Sequence, residues 1–181
     1  MHLIVVVEAD KNSKSDYIYI WKYINACYLL DSSIKISPVY MGGKGNYKSN
    51  NVNKKIENLT RKYKGQHGAD AKQIVMLCTD TDDLTDGPNA HENITFMKDV
   101  EAFCNKKGYN LIWFCRDIEE VFIGRRITKK EKAKTALNFS SINVLHTTSR
   151  LRKDSYIAGI KGTSNLDSAL RNTLNAVYPL Q

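Results

Sequence analysis

Four short apolar segments, spaced too widely along the chain to pair as hairpins, constrain the fold more than any other feature of the sequence. They cover residues 3–7, 34–40, 73–78 and 110–115 and are rich in valine, isoleucine, leucine and aromatic residues. Their apolar character is too continuous for strands with one solvent-exposed face. The pattern therefore predicts four buried strands of a parallel sheet.

The segments between these strands carry helical periodicity. Apolar residues recur every three or four positions in residues 15–30, 51–63 and 91–107, which is the spacing of one face of an α-helix. Right-handed crossovers place helices on both faces of such a sheet. The prediction is an α/β fold of the Rossmannoid kind, with a mainly parallel four-stranded sheet flanked by helices.

The pattern changes towards the end of the chain. Residues 117–123, the basic segment 129–138 and the closing segment 165–176 are predicted helices, whereas residues 140–160 favour no single structure. The polar, glycine-rich residues 42–53 are the predicted mobile loop. Because the sequence contains no long linker, we predict one domain over residues 1–181. It would comprise a core of about residues 1–123 and a basic, helical C-terminal extension of about residues 124–181.

Composition narrows the class of protein. The apolar share of 42% suffices for a buried core, and no uncharged apolar run approaches the ~20 residues of a membrane span. Charges interrupt the apolar start of the chain from Glu8 onward, unlike a secretory signal, and the four cysteines lack zinc-site spacing. We expect a cytoplasmic protein with free thiols and no membrane association. The net charge of +8 favours a polyanionic partner such as nucleic acid.

Acidic residues follow three of the four predicted strands. Glu8 follows the first, Asp80 and Asp82 follow the third, and Glu119 lies shortly after the fourth. Ligands of open parallel sheets bind at the carboxyl ends of the strands, where converging carboxylates repel one another unless a cation lies between them. Alternate residues of an extended segment point the same way, so Asp80 and Asp82 are expected to face one ion. This arrangement predicts Mg²⁺ or Mn²⁺ at that edge.

Purely structural roles are the alternative for these acids. An aspartate after a strand is often a helix N-cap or part of a polar turn, which fits residues 79–83 as well as a metal site does. Glu119 fits the first turn of a helix, where the helix dipole favours an acid.

The order of these residues resembles the Toprim fold, which type IA topoisomerases, bacterial primases and OLD-type nucleases share. The resemblance rests on Glu8, on the pair Asp16-Tyr17 and on residues 77–83 (Leu-Cys-Thr-Asp-Thr-Asp-Asp). Residues 93–96 (Asn-Ile-Thr-Phe), 108–114 (Gly-Tyr-Asn-Leu-Ile-Trp-Phe) and 118–119 (Ile-Glu) are most similar to the small RloB-like Toprim proteins of phage-defence and abortive-infection loci. The resemblance to the Toprim fold covers about residues 3–123.

The resemblance implies a Mg²⁺-dependent nuclease of anti-phage defence that hydrolyses phosphodiester bonds in DNA or RNA. It implies that Glu8 acts as a general acid or base that also binds metal, and that Asp80 and Asp82 coordinate the ion. Glu119 then matches a second-metal glutamate of OLD-type nucleases, and Lys161 matches their late lysine, which faces the scissile phosphate. A separately encoded ATPase subunit is a further implied partner.

Two other functions stay open. The chain has Ala9 where the family usually has glycine, whose missing Cβ lets the backbone approach the site. A catalytically inactive Toprim-like module that binds nucleic acid or a partner protein is therefore one alternative. A small-molecule phosphatase is the other, because an Asp-Thr-Asp after a strand also occurs in aspartate-nucleophile phosphatases; that reaction gives Glu8 no role.

Basic residues are predicted to bind the nucleic-acid backbone. They form two runs after the acidic segments and part of the glycine-rich loop, where Tyr47 is expected to stack on a base. The candidates are Lys44, Tyr47, Lys48, Arg125, Arg126, Lys129, Lys130, Arg150 and Arg152. A solvated helix face is the alternative for such charge runs. Trp21 and Trp113 are predicted to belong to the core.

Overall fold

The computed structural model describes residues 1–140 and 148–174. The strands are β1 (His2–Val7), β2 (Lys35–Tyr40), β3 (Gln73–Asp80) and β4 (Asn110–Phe114). The α-helices are α1 (Ser15–Cys27), α2 (Asn50–His67), α3 (Ala90–Lys107), α4 (Ile118–Ile123), α5 (Lys132–Asn138) and α6 (Leu166–Arg171). Short 3₁₀ turns lie at Lys44–Asn46 and Thr148–Leu151.

The strands form one parallel sheet in the order β2-β1-β3-β4. Val6 is paired with Leu77, so the carboxyl ends of β1 and β3 are adjacent in the middle of the sheet. The predicted α/β fold, with a parallel four-stranded sheet, flanking helices and a helical C-terminal part, is confirmed. The central position of β1 explains its continuous apolar sequence, because every residue of β1 is buried.

The core has two main layers, one on each face of the sheet. Leu3, Val5 and Val7 of β1 pack on the face covered by α1, whereas Ile4 and Val6 pack on the face covered by α2 and α3. This division follows from the alternation of side chains along a strand. Because α1 follows β1 and β3 runs parallel to β1, the beginning of α1 lies at the same edge of the sheet as the ends of β1 and β3.

The C-terminal helix α6 is joined to α1 by a buried acid. Leu166 and Leu170 of α6 belong to the same core layer as α1. Asp167 between them accepts hydrogen bonds from the hydroxyl of Tyr23 at 2.7 Å and from that of Tyr28. The sequence predicts a closing helix over residues 165–176, but the helix ends at Arg171; residues 175 and 176 lie outside the described part of the chain. Asp167 thus anchors the C-terminal part onto the helix that begins at the candidate site.

Burial tests the predictions for cysteine and tryptophan. The four cysteines are free and buried, as expected. Trp113 is 3% exposed and belongs to the core, whereas Trp21 is 38% exposed. The core prediction for Trp21 is therefore wrong, because this residue lies on the outer side of α1. Within residues 1–140 and 148–174, no helix is long and apolar enough to cross a lipid bilayer.

Candidate active site at the carboxyl edge of the sheet

Three carboxyl groups line one cavity at the carboxyl edge of the sheet. Glu8 directly follows β1, Asp80 ends β3, and Asp16 lies in the first turn of α1. The cavity they share has a volume of about 500 Å³, and Lys129 and Lys132 also line it. The parallel pairing of β1 and β3 brings Glu8 and Asp80 together although they are 72 positions apart in the sequence.

The carboxylate of Glu8 is held against the end of β3. Its Oε1 accepts a hydrogen bond from the backbone N–H of Asp80 at 2.8 Å and another from the hydroxyl of Thr79. Among the described residues, no donor reaches its Oε2. The side chain of Glu8 is therefore oriented through one oxygen, and the second oxygen is left for a ligand.

Asp80 and Asp16 are also fixed by backbone groups. Oδ1 of Asp80 accepts from the N–H of Ile118, at the start of α4, at 3.0 Å. Oδ2 of Asp16 accepts from the N–H of Ala9 at 2.8 Å, which closes the turn between β1 and α1. Each acid thus takes an N–H that the end of a strand or the start of a helix leaves without a partner.

Burial favours the protonated form of all three acids, and repulsion from neighbouring carboxylates adds to the effect at Glu8 and Asp80. Burial raises the pKa of Glu8 to about 7; the negative charge of Asp16 adds to the effect, and hydrogen bonds from Thr79 and Asp80 oppose it. Burial also raises the pKa of Asp80 well above its ordinary range, with contributions from the charges of Glu8 and Asp16. Burial raises the pKa of Asp16 as well. Near neutral pH this cavity therefore favours either retained protons or a bound cation.

Glu119 lies behind this group and already has a cationic partner. It is fully buried, and its Oε2 pairs with Nζ of Lys132 at 2.8 Å. Burial raises the pKa of Glu119, and the bond from Lys132 opposes the increase. Its Oε1 has no hydrogen-bond partner within the described ranges. The structure therefore shows Glu119 as the counter-ion of Lys132, next to the cavity that Glu8 lines.

Asp82 differs from the expected position. The backbone at Asp82 has φ 55°, so the extended alternation of β3 does not continue to it. Its carboxylate pairs with Lys44, and it is absent from the lining of the cavity that contains Glu8 and Asp80. The expectation that strand alternation turns Asp80 and Asp82 towards one ion is therefore corrected. In the described part of the chain, no three His, Cys, Asp or Glu side chains form a group that could hold a metal.

Two of the predicted nucleic-acid contacts have structural roles instead. Tyr47 is 4% exposed and packs edge-on against Phe96 and Phe103, so its ring is not available to stack on a base. Nε of Arg152 pairs with the buried Asp167 at 2.6 Å. Both assignments are corrected, because apolar packing holds the first side chain and a buried carboxylate holds the second.

The other basic candidates are distributed over several surfaces. Lys129 alone of them lines the cavity of Glu8. Arg150 and Lys161 line a separate cavity of about 480 Å³, where Nζ of Lys161 also pairs with Asp86 at 2.8 Å. Arg126 pairs with Asp117 and Asp83, and Lys44 pairs with Asp82. Arg125, Lys130 and Lys48 are exposed.

Two members of the site were not singled out as site residues in the sequence. Asp16 entered only as part of a resemblance, and Lys132 only as part of a basic run. The available signal for Asp16 is its position in the first turn of the helix that follows Glu8. Lys132 has no comparable signal, because its approach to Glu119 depends on how α5 packs.

The raised pKa of Glu8 predicts how stability depends on pH. In the unfolded chain Glu8 ionises near its ordinary value of 4.5, whereas the folded protein retains the proton to about 7. The stability associated with this group is therefore complete below about pH 4.5 and is lost as pH rises to about 7. Without divalent cations, Glu8→Gln is expected to raise the free energy of unfolding at about pH 8 by at most about 3 kcal/mol.

Urea unfolding of both proteins from about pH 5 to about pH 8 measures this difference. Glu92→Gln, at an exposed position of α3, is the matched control and should leave the pH profile unchanged. Parallel profiles for wild type and Glu8→Gln would show that Glu8 ionises normally in the folded protein.

Comparison with family models, with curated proteins and with solved structures yields no match to the chain.

Proposed function

We propose that the protein is a Mg²⁺- or Mn²⁺-dependent nuclease of the Toprim type that hydrolyses phosphodiester bonds in nucleic acid. The observation that carries this proposal is the shared cavity of Glu8, Asp16 and Asp80 at the carboxyl edge of the sheet, where burial raises the pKa of each acid and repulsion adds to it at Glu8 and Asp80. A role in the cytoplasm as an effector of phage defence, with an ATPase partner, follows only from the resemblance to RloB-like and OLD-type proteins.

The residues of the cavity fit a divalent cation held by few protein ligands. Mg²⁺ usually takes one or two carboxylates and completes its shell with water and substrate phosphate. Glu8 and Asp80 each present one oxygen that receives no hydrogen bond from the described residues. When bound there, the ion would supply positive charge to a nonbridging phosphate oxygen and lower the pKa of a coordinated water.

Glu8 is suited to move the proton of the reaction. A carboxyl group with a pKa of about 7 exchanges protons with water readily near neutral pH. The bonds from Thr79 and Asp80 fix its orientation, so it can take a proton from the attacking water and return one to the leaving oxygen. Lys129, at the mouth of the same cavity, adds a positive charge that can position the phosphate.

Ala9 does not obstruct this arrangement. Its N–H bonds Asp16 at 2.8 Å, and its carbonyl accepts from the N–H of Gly42 at 3.3 Å. Its φ is not positive, so the turn that follows Glu8 does not require glycine. The departure from the glycine of the family therefore costs no backbone strain.

The proposed nuclease function predicts that the protein cleaves nucleic acid only in the presence of a divalent cation. Plasmid, single-stranded DNA and RNA are incubated with the protein in Mg²⁺, in Mn²⁺ or in excess EDTA. Shortened products are expected with either cation and should disappear with EDTA, because the cavity lacks the positive charge that the ion brings. Asp80→Asn, purified in the same way, controls for a contaminating nuclease.

The two alternatives give different results in this assay. Binding to nucleic acid without cleavage under every condition would indicate a binding module. Release of inorganic phosphate from a small phosphate ester, with intact polynucleotides, would indicate a phosphatase. Either result would overturn the nuclease proposal.

A further inference from the structure

A row of three aromatic side chains lies on the surface at the beginning of α1. Tyr17 and Trp21 are one helical turn apart, with ring centroids 6.2 Å apart and planes inclined by 20°. Tyr40, at the end of β2, meets Tyr17 edge-on at 6.3 Å. Trp21 is 38% exposed, and the two tyrosines are partly buried. We call Tyr40, Tyr17 and Trp21 the aromatic row.

The aromatic row is adjacent to the candidate active site. Tyr17 directly follows Asp16, which lines the cavity of Glu8. Tyr40 lines a second cavity, of about 580 Å³, which shares Asp10 and Gly42 with the cavity of Glu8. The cavity that Tyr40 lines therefore adjoins the cavity of the acids.

The second cavity combines apolar and cationic groups. Its apolar lining includes Val39, Met41 and Leu59, which belong to the core layer under α2, whereas Tyr40 packs in the layer under α1; the cavity therefore lies at the β2 edge of the sheet. The remaining polar lining comes from Lys11, Lys55, Asn58 and the shared Asp10. An apolar wall with a few polar groups is typical of a site for a flat organic ring, and the two lysines complement a phosphate next to that ring.

We propose that the aromatic row and the cavity beside Tyr40 bind consecutive bases of a single strand, and that single-stranded nucleic acid is therefore the preferred substrate of the site. This inference rests on the proposed function and adds the form of its substrate. Exposed aromatic rings bind bases by their faces, and those faces are accessible in a single strand but stacked inside a duplex. Lys11 and Lys55 of the cavity beside Tyr40 and the net charge of +8 favour this occupant over a neutral protein surface.

The fluorescence of Trp21 can report binding at the aromatic row directly. Because Trp113 is buried and Trp21 is exposed, a base that stacks on the row should quench only the emission of Trp21. The Glu8→Gln variant, which retains its substrate, is titrated without divalent cations with a short single-stranded oligonucleotide and with a duplex of equal length. Quenching is expected with the single strand and not with the duplex. It should persist in Trp113→Phe and disappear in Trp21→Phe.

Affinity gives the second measurement. Stacking contributes about 1 to 3 kcal/mol per base, so Trp21→Ala should weaken single-strand binding about tenfold and leave duplex binding unchanged. Trp21→Phe retains a ring and should recover most of the affinity. Leu29→Ala removes an exposed apolar side chain just beyond the C-terminal end of α1 and is the matched control.

Three results would overturn the inference. Unchanged single-strand affinity in Trp21→Ala, while cleavage persists, rejects the row and leaves the nuclease in place. A wild-type dimer that becomes monomeric in Trp21→Ala, measured by light scattering, assigns the row to contact between two copies of the chain. Absence of binding to any nucleic acid rejects both the row and the nuclease. Quenching by the single strand, together with no cleavage by the wild-type protein in Mg²⁺ or Mn²⁺, rejects the nuclease and leaves the row as a binding surface.

Discussion

Under the proposed function, replacing Glu8 with glutamine is expected to lower the rate of metal-dependent cleavage at least ~10³-fold, since the change would remove both the proposed proton-transfer group and a proposed cation ligand. Glutamine keeps a carbonyl oxygen that can accept the bonds from Thr79 and from the N–H of Asp80. The turn after β1 should therefore persist, and the affinity for nucleic acid should change little. Single-turnover cleavage of a labelled strand, with binding measured separately, distinguishes the two effects.

Glu92→Gln makes the same chemical change at an exposed position of α3 and should cleave at the wild-type rate. If Glu8→Gln retained more than about a tenth of the wild-type rate, Glu8 would not be the group that transfers the proton, because one general acid or base contributes ~10²-fold or more. The cluster of acids at this edge would then have to be explained by stability alone.

Replacing Asp167 with asparagine is expected to lower the free energy of unfolding by about 3 kcal/mol or more, because breaking a buried ion pair leaves charge without a partner. Asp167 is fully buried and pairs with Arg152 at 2.6 Å and with Arg171 at 2.8 Å. Its other partners are the hydroxyl groups of Tyr23 and Tyr28. The variant would leave two guanidinium groups at the junction of α1 and α6 without their counter-charge.

The contribution of Asp167 to the free energy of unfolding depends on pH with the opposite sign to the contribution of Glu8. Burial alone would raise the pKa of Asp167, but the four donors hold it below its ordinary value of 3.8. The stabilisation is therefore present above about pH 4 and is lost as pH falls through the lowered pKa. Urea unfolding followed by circular dichroism should show a gap between wild type and variant that is full near neutral pH and narrows in acid.

Asp154→Asn, at an exposed aspartate of the same C-terminal region, is the control and should change the free energy of unfolding by less than about 0.5 kcal/mol. A loss at Asp167 no larger than that of this control would mean that the C-terminal part is held by apolar packing without help from the ion pairs.

The strand pattern predicted the fold because a parallel strand covered on both faces must be apolar at nearly every position. The same reasoning predicted that Glu8 and Asp80 would lie at one edge, since the carboxyl ends of parallel strands share that edge. Strand order could not be predicted in this way. The pairing of β1 with β3 makes Glu8 and Asp80 neighbours, and no local pattern specifies which strands pair.

Tertiary packing placed two aromatic side chains in environments opposite to those that the sequence predicted. Tyr47 was expected on the surface and is buried, whereas Trp21 was expected in the core and is exposed. Helical spacing identifies residues that share a face, but the neighbouring elements determine which aromatic residue on or near that face is covered. Asp82 shows the same limit for a charge, because a single positive φ and the approach of Lys44 removed it from the group that its spacing predicted.

The sequence by itself determined the α/β class, the four strands and the edge at which acids accumulate, because these depend on residue type and short-range periodicity. Only the tertiary structure decided that Asp16 joins Glu8 and Asp80, that Lys132 neutralises Glu119, and that Arg152 stabilises α6. Burial and ion pairing depend on distances between residues that are remote in the chain. Those distances exist only after the helices have packed on the sheet.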